Sequence, residues 1–74
     1  MKVGRLSAYD GGVTGDVYHD GVLIGIVRVW CGQISYFPLP PSGKIVKWRG
    51  WINTVEQLEK LLDSNAGEIL ALSK

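Results

Sequence analysis

The stretch from Val22 to Cys31 constrains the fold more than any other part of the chain. It reads VLIGIVRVWC. Nine of its ten residues are apolar or glycine, and the tenth, Arg28, is the only charged residue. β-Branched residues dominate it, and these pack well on a pleated strand. The run is too short for a membrane-spanning helix, which needs about 20 apolar residues. We interpret Val22–Cys31 as the central strand of a sheet, with the other elements packed around it.

The two faces of this strand differ, because side chains alternate along a strand. One face is wholly apolar and carries Leu23, Gly25, Val27, Val29 and Cys31. The other carries Val22, Ile24, Ile26, Arg28 and Trp30. The start of the strand is apolar on both sides, which predicts that it is covered on both faces and that the second face meets water at Arg28. Cys31 falls in the apolar register and is predicted to be a buried small hydrophobe.

Length and composition indicate one small folded domain over residues 1–74, with 46% hydrophobic residues and a net charge of +1. Such a short chain buries only about 60% of its unfolded surface, so its core is small. With a single cysteine, no intrachain disulfide can form. The first residues show no basic segment followed by an apolar run, as a signal peptide would. We therefore expect a reducing, cytoplasmic location.

Turn signals divide the rest of the first 51 residues into strands. Asp10-Gly11-Gly12 is one turn, and Asp20-Gly21 suits a type I′ hairpin. Gly32-Gln33 is interpreted as a type II′ turn with glycine first. The predicted strands are Lys2–Tyr9, Val13–His19, Ile34–Leu39 and Lys44–Trp51, besides the central one. Pro38 lacks an N–H donor, so the fourth strand either lies on an edge or ends there.

A helix follows, from about Val55 to Asp63. Thr54 and Gln57 form a capping box. The apolar stripe consists of Val55, Leu58, Leu61 and Leu62. Residues 68–73 fit either a terminal strand or a second helical turn, and the strand is slightly preferred. The expected fold class is therefore α+β, with a small, twisted, mainly antiparallel sheet of four to six strands packed against one helix, about residues 54–63.

The sequence carries no pattern typical of an active site. It has one histidine and no glycine-rich phosphate loop before a helix, and no carboxylates are paired within a strand or helix in a way that suggests acid–base catalysis. His19 stands beside Asp20 and near Asp16, but its place before a tight turn indicates an exposed turn residue rather than a general base. We expect neither an enzyme nor a bound metal or cofactor.

Charge is distributed unevenly along the nearly neutral chain. No acidic residue lies between Asp20 and Glu56, and that window carries a charge of +4 from its arginines and lysines. The same window holds five aromatic residues, namely Trp30, Tyr36, Phe37, Trp48 and Trp51. Tryptophan and arginine often anchor protein interfaces. The predicted partner-binding residues are Arg28, Tyr36, Lys47, Arg49 and Trp51. Alternatively, the tryptophans fill the core and the cations merely protect an edge strand from aggregation.

The order of elements, a meander of short strands followed by a helix that opens with Asn53-Thr54-Val55-Glu56-Gln57-Leu58-Glu59, resembles that of some small phage-encoded anti-CRISPR proteins. The resemblance implies a non-enzymatic inhibitor that occupies a surface of a host protein complex, and it assigns no role to individual residues. This chain lacks the strong acidity of the nucleic-acid mimics among such inhibitors.

Two functions from different classes follow as hypotheses. The first is a small non-enzymatic protein-binding domain, in the form of a phage or mobile-element accessory inhibitor. The second is a single-stranded nucleic-acid-binding domain that uses the basic and aromatic strands of residues 28–51, where aromatic rings stack on bases and cations neutralise phosphates. A homodimer formed through an edge strand is compatible with either.

Overall fold

The computed structural model describes residues 1–72, apart from the side chain of Tyr9, as a five-stranded sheet followed by two helices. The strands are β1 (Lys2–Tyr9), β2 (Gly12–His19), β3 (Val22–Trp30), β4 (Gln33–Pro38) and β5 (Val46–Arg49). The helices are α1 (Val55–Ser64) and α2 (Ala66–Leu72). Every neighbouring pair is antiparallel and the strand order is β1-β2-β3-β4-β5. The predicted α+β class, with β3 at the centre of the sheet, is confirmed.

Three two-residue turns build the meander. Asp10-Gly11, Asp20-Gly21 and Cys31-Gly32 each have positive φ at both positions, as type I′ turns require. The third turn corrects the predicted Gly32-Gln33 turn, because Trp30 pairs directly with Gln33 and glycine takes the second position. Cys31 consequently lies in the turn, exposed, and not in the core. The prediction of a buried Cys31 is wrong.

The helices cover one face of the sheet, which we call the core face. Its buried residues meet the inner faces of both helices, and this core comprises Val17, Val27, Ile34, Tyr36, Val46, Leu58, Leu62 and Ile69. The start of β3 is not covered, contrary to prediction, since Val22 and Leu23 are 61% and 44% exposed. The reason is that β4 ends at Pro38, opposite Gly25, so the first residues of β3 extend beyond it.

The α1 prediction is confirmed, including its start. Thr54 Oγ1 accepts a hydrogen bond from the Gln57 amide at 3.1 Å, and Gln57 Oε1 accepts one from the Asn53 amide at 2.7 Å. The preferred terminal strand at residues 68–73 is wrong, because this segment continues as α2, with Ile69 fully buried against the core. Ser73 lies outside the described residues. The fifth strand is also shorter than predicted. Within the described residues, no helix has the length and apolar character needed to cross a membrane.

Candidate sheet-face binding surface

The face of the sheet opposite the helices is polar and basic. Strand alternation and register place its residues, and we call this surface the open face. It comprises Thr14, Asp16, Ile26, Arg28, Trp30, Gln33, Ser35, Phe37, Lys47 and Arg49. Its members are exposed or half-buried, whereas the alternate residues of β4, Ile34, Tyr36 and Pro38, are buried.

Two cross-strand rows bring three cations together on the open face. In the first row Arg28 pairs with Ser35, and Ser35 pairs with Lys47. In the second, Gln33 stands between Trp30 and Arg49. Strands lie about 4.8 Å apart, so Arg28 and Lys47 project roughly 10 Å from each other across β4. Asp16 brings a carboxylate to the far side of the face, on β2.

Trp30 is held in place at the rim of this face. Its indole Nε1 donates a hydrogen bond to the Asp10 carbonyl at 3.0 Å, and its side chain packs over Gly12. The Arg28 guanidinium carbon lies 5.8 Å from the centre of the Trp30 ring, within the range of a cation–π contact. Trp30 is nevertheless 45% exposed. A fixed aromatic ring beside a cation is thus available to a ligand at little cost in side-chain entropy.

A shallow groove of about 310 Å³ runs along the open face. Its lining combines the cations with apolar side chains, and comprises Arg28, Trp30, Gln33, Ser35, Phe37, Ile45 and Lys47. A second, more polar depression lies at the adjacent end of the sheet and shares Gln33 and Lys47 with the groove. Lys47 therefore stands between two concave surfaces, where its ammonium group can reach a ligand in either.

The structure places the five predicted site residues in three different settings. Arg28, Lys47 and Arg49 lie on the open face, as the prediction requires. Trp51 lies beyond the end of β5, 79% exposed, with its ring against Gly32 of the β3–β4 turn. Tyr36 is on the core face and fully buried, so it cannot belong to a contact surface with Arg28.

The burial of Tyr36 has a clear structural basis. Its ring occupies the space above Gly25, where a Cβ atom would stand 2.4 Å from the phenolic oxygen. The hydroxyl donates a hydrogen bond to the Ile24 carbonyl at 2.9 Å. The polar end of the side chain is thus satisfied within the fold, and Tyr36 is a core residue.

The predicted site lacks five of the groove residues, namely Trp30, Gln33, Ser35, Phe37 and Ile45. For Phe37, the sequence does contain a signal, which is the strand register that a two-residue turn fixes. A two-residue turn at either 31–32 or 32–33 places Phe37 on the same face as Arg28, and places Tyr36 opposite Val27 or Val29 on the apolar face. Ile45 precedes β5 in an irregular segment, where strand alternation gives no guide.

Acidic side chains concentrate on the other side of the sheet. Helices α1 and α2 carry four acidic residues, Glu56, Glu59, Asp63 and Glu68, against one cation, Lys60. The polarity seen along the sequence thus becomes a polarity between the two sides of the molecule. Within residues 1–72, no group of three or more histidine, cysteine, aspartate or glutamate side chains is placed to hold a metal ion.

Compared with protein-family models, curated proteins and solved structures, the chain shows no significant match.

Proposed function

We propose that the chain is a small non-enzymatic binding domain whose open face engages an acidic segment of a partner protein. The observation that carries the proposal is the grouping of Arg28, Lys47 and Arg49 on one face of the sheet, beside the fixed ring of Trp30, with the acidic helices on the other. Complementary charge across an interface raises the association rate and selects between partners.

The apolar part of the groove favours a protein partner over other anions. Phe37 and Ile45 lie in the groove beside Lys47, and Ile45 is 42% exposed. Interfaces commonly surround a few aromatic and arginine anchors with such mixed contacts. The aliphatic side chain of Ile45 can pack against an apolar residue of a partner protein, whereas it gives a nucleobase no aromatic surface on which to stack.

An inhibitor that covers a surface of a host protein complex, as the resemblance to anti-CRISPR proteins implies, is one form of this role. A reducing cytoplasm is the location that fits an exposed, free Cys31. Trp51 stays in the proposal as a contact residue at the end of the sheet, where its large exposed ring would extend the surface beyond Arg49.

The second candidate is binding of single-stranded nucleic acid, and one observation favours it. The acidic side chains of the helices lie behind the sheet, so they do not face a polyanion on the open face. Trp30 and Phe37 share that face with the three cations. Open sheet faces that combine exposed aromatic rings with cations bind unstacked bases in several nucleic-acid-binding domains.

Tryptophan fluorescence during titration separates the two candidates. The ligands are a glutamate-rich peptide of 12 residues and oligonucleotides dT20 and rU20, each added at low and at moderate salt. We expect the peptide to bind and Lys47→Ala to weaken it about fivefold, consistent with a charge-assisted contact. Lys60→Ala on α1 removes the same charge from the opposite side and should have no effect.

Tighter binding of both oligonucleotides than of the peptide would move the assignment to the second candidate. Equal effects of Lys47→Ala and Lys60→Ala would refute a specific role of the open face for either ligand, because they would indicate only a response to net charge.

A further inference from the structure

The outer edge of β5 presents main-chain groups to solvent. Gly50 N–H donates a hydrogen bond to the Gly32 carbonyl at 2.8 Å, and this bond shows which residue pairs of the β4–β5 ladder are hydrogen-bonded. Because hydrogen-bonded pairs alternate along an antiparallel ladder, Ile34–Trp48 and Tyr36–Val46 are the bonded pairs. The N–H and C=O groups of Lys47 and Arg49 therefore point away from β4. In the part of the chain that the structure describes, no strand pairs with this edge.

The other edge of the sheet is different. At the β1 edge, the Val3 amide donates to Glu59 Oε2 at 2.9 Å, so a side chain from α1 already occupies a main-chain donor there. That edge also carries a bulge between Gly4 and Ser7, with Arg5 in a left-handed conformation at φ 50°. Bulges and coverage by helices are common protections of edge strands. β1 is thus unsuited to accept a further strand along its length, and a neighbouring carboxylate would repel an acidic one.

At β5, the open edge and the cations coincide. The same two residues whose main-chain groups face outward, Lys47 and Arg49, direct their side chains onto the open face. Ile45, two residues before Lys47, adds an exposed apolar side chain to the groove. Residues 33–49 contain no aspartate or glutamate, so nothing on β4 or β5 opposes an anionic strand.

We propose that the acidic partner segment binds in extended form, as a sixth strand added to the edge of β5. The proposal rests on the proposed function and specifies its ligand. In an antiparallel arrangement, carboxylates at positions i and i+2 stand on the open face opposite Arg49 and Lys47, respectively. An apolar residue two positions further stands opposite Ile45. Main-chain hydrogen bonds to Lys47 and Arg49 hold the segment, and the side-chain pairs select it.

The test uses two fluorescein-labelled peptides of equal composition, one with its two glutamates at alternate positions and one with them adjacent. Adjacent residues of a strand point to opposite faces, so the second peptide cannot present both carboxylates to the cations. Fluorescence anisotropy with the full chain should show binding of the alternating peptide that is at least fivefold tighter. Equal affinity for the two peptides would overturn strand addition.

Two variants at one position isolate the main-chain contact. Lys47→Ala removes the charge and keeps the N–H, whereas Lys47→Pro removes both and leaves the bonds to β4 intact, since that N–H points outward. We expect the proline variant to bind roughly tenfold more weakly than the alanine variant, the effect of one lost hydrogen bond. Equal affinities would overturn strand addition and leave a side-chain-mediated open face in place.

A third measurement leaves the protein unchanged. N-methylation of the alternating peptide at the residue that donates to the Lys47 carbonyl should weaken binding to the same degree, and no effect would again overturn the proposal. If neither unmethylated peptide binds, and Arg28→Ala leaves the affinity for the glutamate-rich peptide of 12 residues unchanged, the proposed function itself fails. That outcome is distinct from one in which both peptides bind equally.

Discussion

Tyr36 fits into the sheet because residue 25 has no side chain. A Cβ atom at position 25 would lie 2.5 Å from the Phe37 carbonyl oxygen as well as against the Tyr36 phenol, and the backbone atom cannot move aside cheaply. The Ile24 carbonyl accepts both the Tyr36 hydroxyl and the Leu39 amide, each at 2.9 Å. One glycine and one carbonyl thus position a fully buried aromatic residue.

We expect Gly25→Ala to lower the free energy of unfolding by about 2 kcal/mol, the usual cost of overpacking a core. Gly67→Ala is the matched control, because a Cβ atom at that helical position meets nothing within 4 Å. It should raise the free energy of unfolding by about 0.5–1 kcal/mol. Urea titration followed by tryptophan fluorescence measures both, and destabilisation of equal size in the two variants would contradict this account of Tyr36.

Residue-level prediction from the sequence failed where a local choice depended on geometry. Strand alternation predicts a buried Cys31 only when it is extended by one residue, into what is the third hairpin turn. The φ of Cys31 is 47°, in a region that few non-glycine residues adopt, and a cysteine at this position does not predict such a conformation. The position of Tyr36, in contrast, followed from strand register and could have been predicted.

Helix α1 both covers the core and closes part of the β1 edge. Leu58 and Leu62 face the sheet, while Glu59 reaches the Val3 amide. A helix that carries both an apolar stripe and a carboxylate at its margin can pack against the sheet and cap one of its strands. This contact explains why the two edges of the sheet differ in availability.

Glu59→Ala should release the Val3 amide. We expect hydrogen exchange at this amide to become roughly tenfold faster, in line with the loss of one hydrogen bond to a charged group. Glu56→Ala, an exposed position of the same helix, is the control and should leave the rate at Val3 unchanged. Equal acceleration in both variants would mean that the helix as a whole, and not the Glu59 contact, protects the edge.

Elements with strong local signals were predicted well. The Asp-Gly turns and the Thr54–Gln57 capping box specify their own conformations, so β1, β2 and the start of α1 follow from a few residues each. α2 had no such signal. Its short run of leucine and isoleucine fits the side-chain period of a strand as well as that of a helix. The helix is stabilised by the contact between Ile69 and the core. The length of β5 likewise depends on its partner strand, since β4 pairs with it only from Gln33 to Tyr36.

The molecule as it folds is an electrostatic dipole, although its net charge is only +1. The sheet separates the cations of the central window from the carboxylates of the helices. The sequence showed this segregation along the chain, and the antiparallel register shows that Arg28, Lys47 and Arg49 share a face. The grooves beside them could not be predicted, because they depend on the irregular segment before β5 and on the place where each strand ends.

The measurement that tests the binding surface most directly is a two-dimensional ¹H–¹⁵N spectrum of the chain during titration with the glutamate-rich peptide. We predict that the shifts concentrate at the amides of β4 and β5, at Arg28 and at the indole N–H of Trp30. Amides of α1 and α2 that face away from the sheet should not move. Shifts confined to the helices, or spread evenly over both sides of the sheet, would contradict the assignment of the open face as the binding surface.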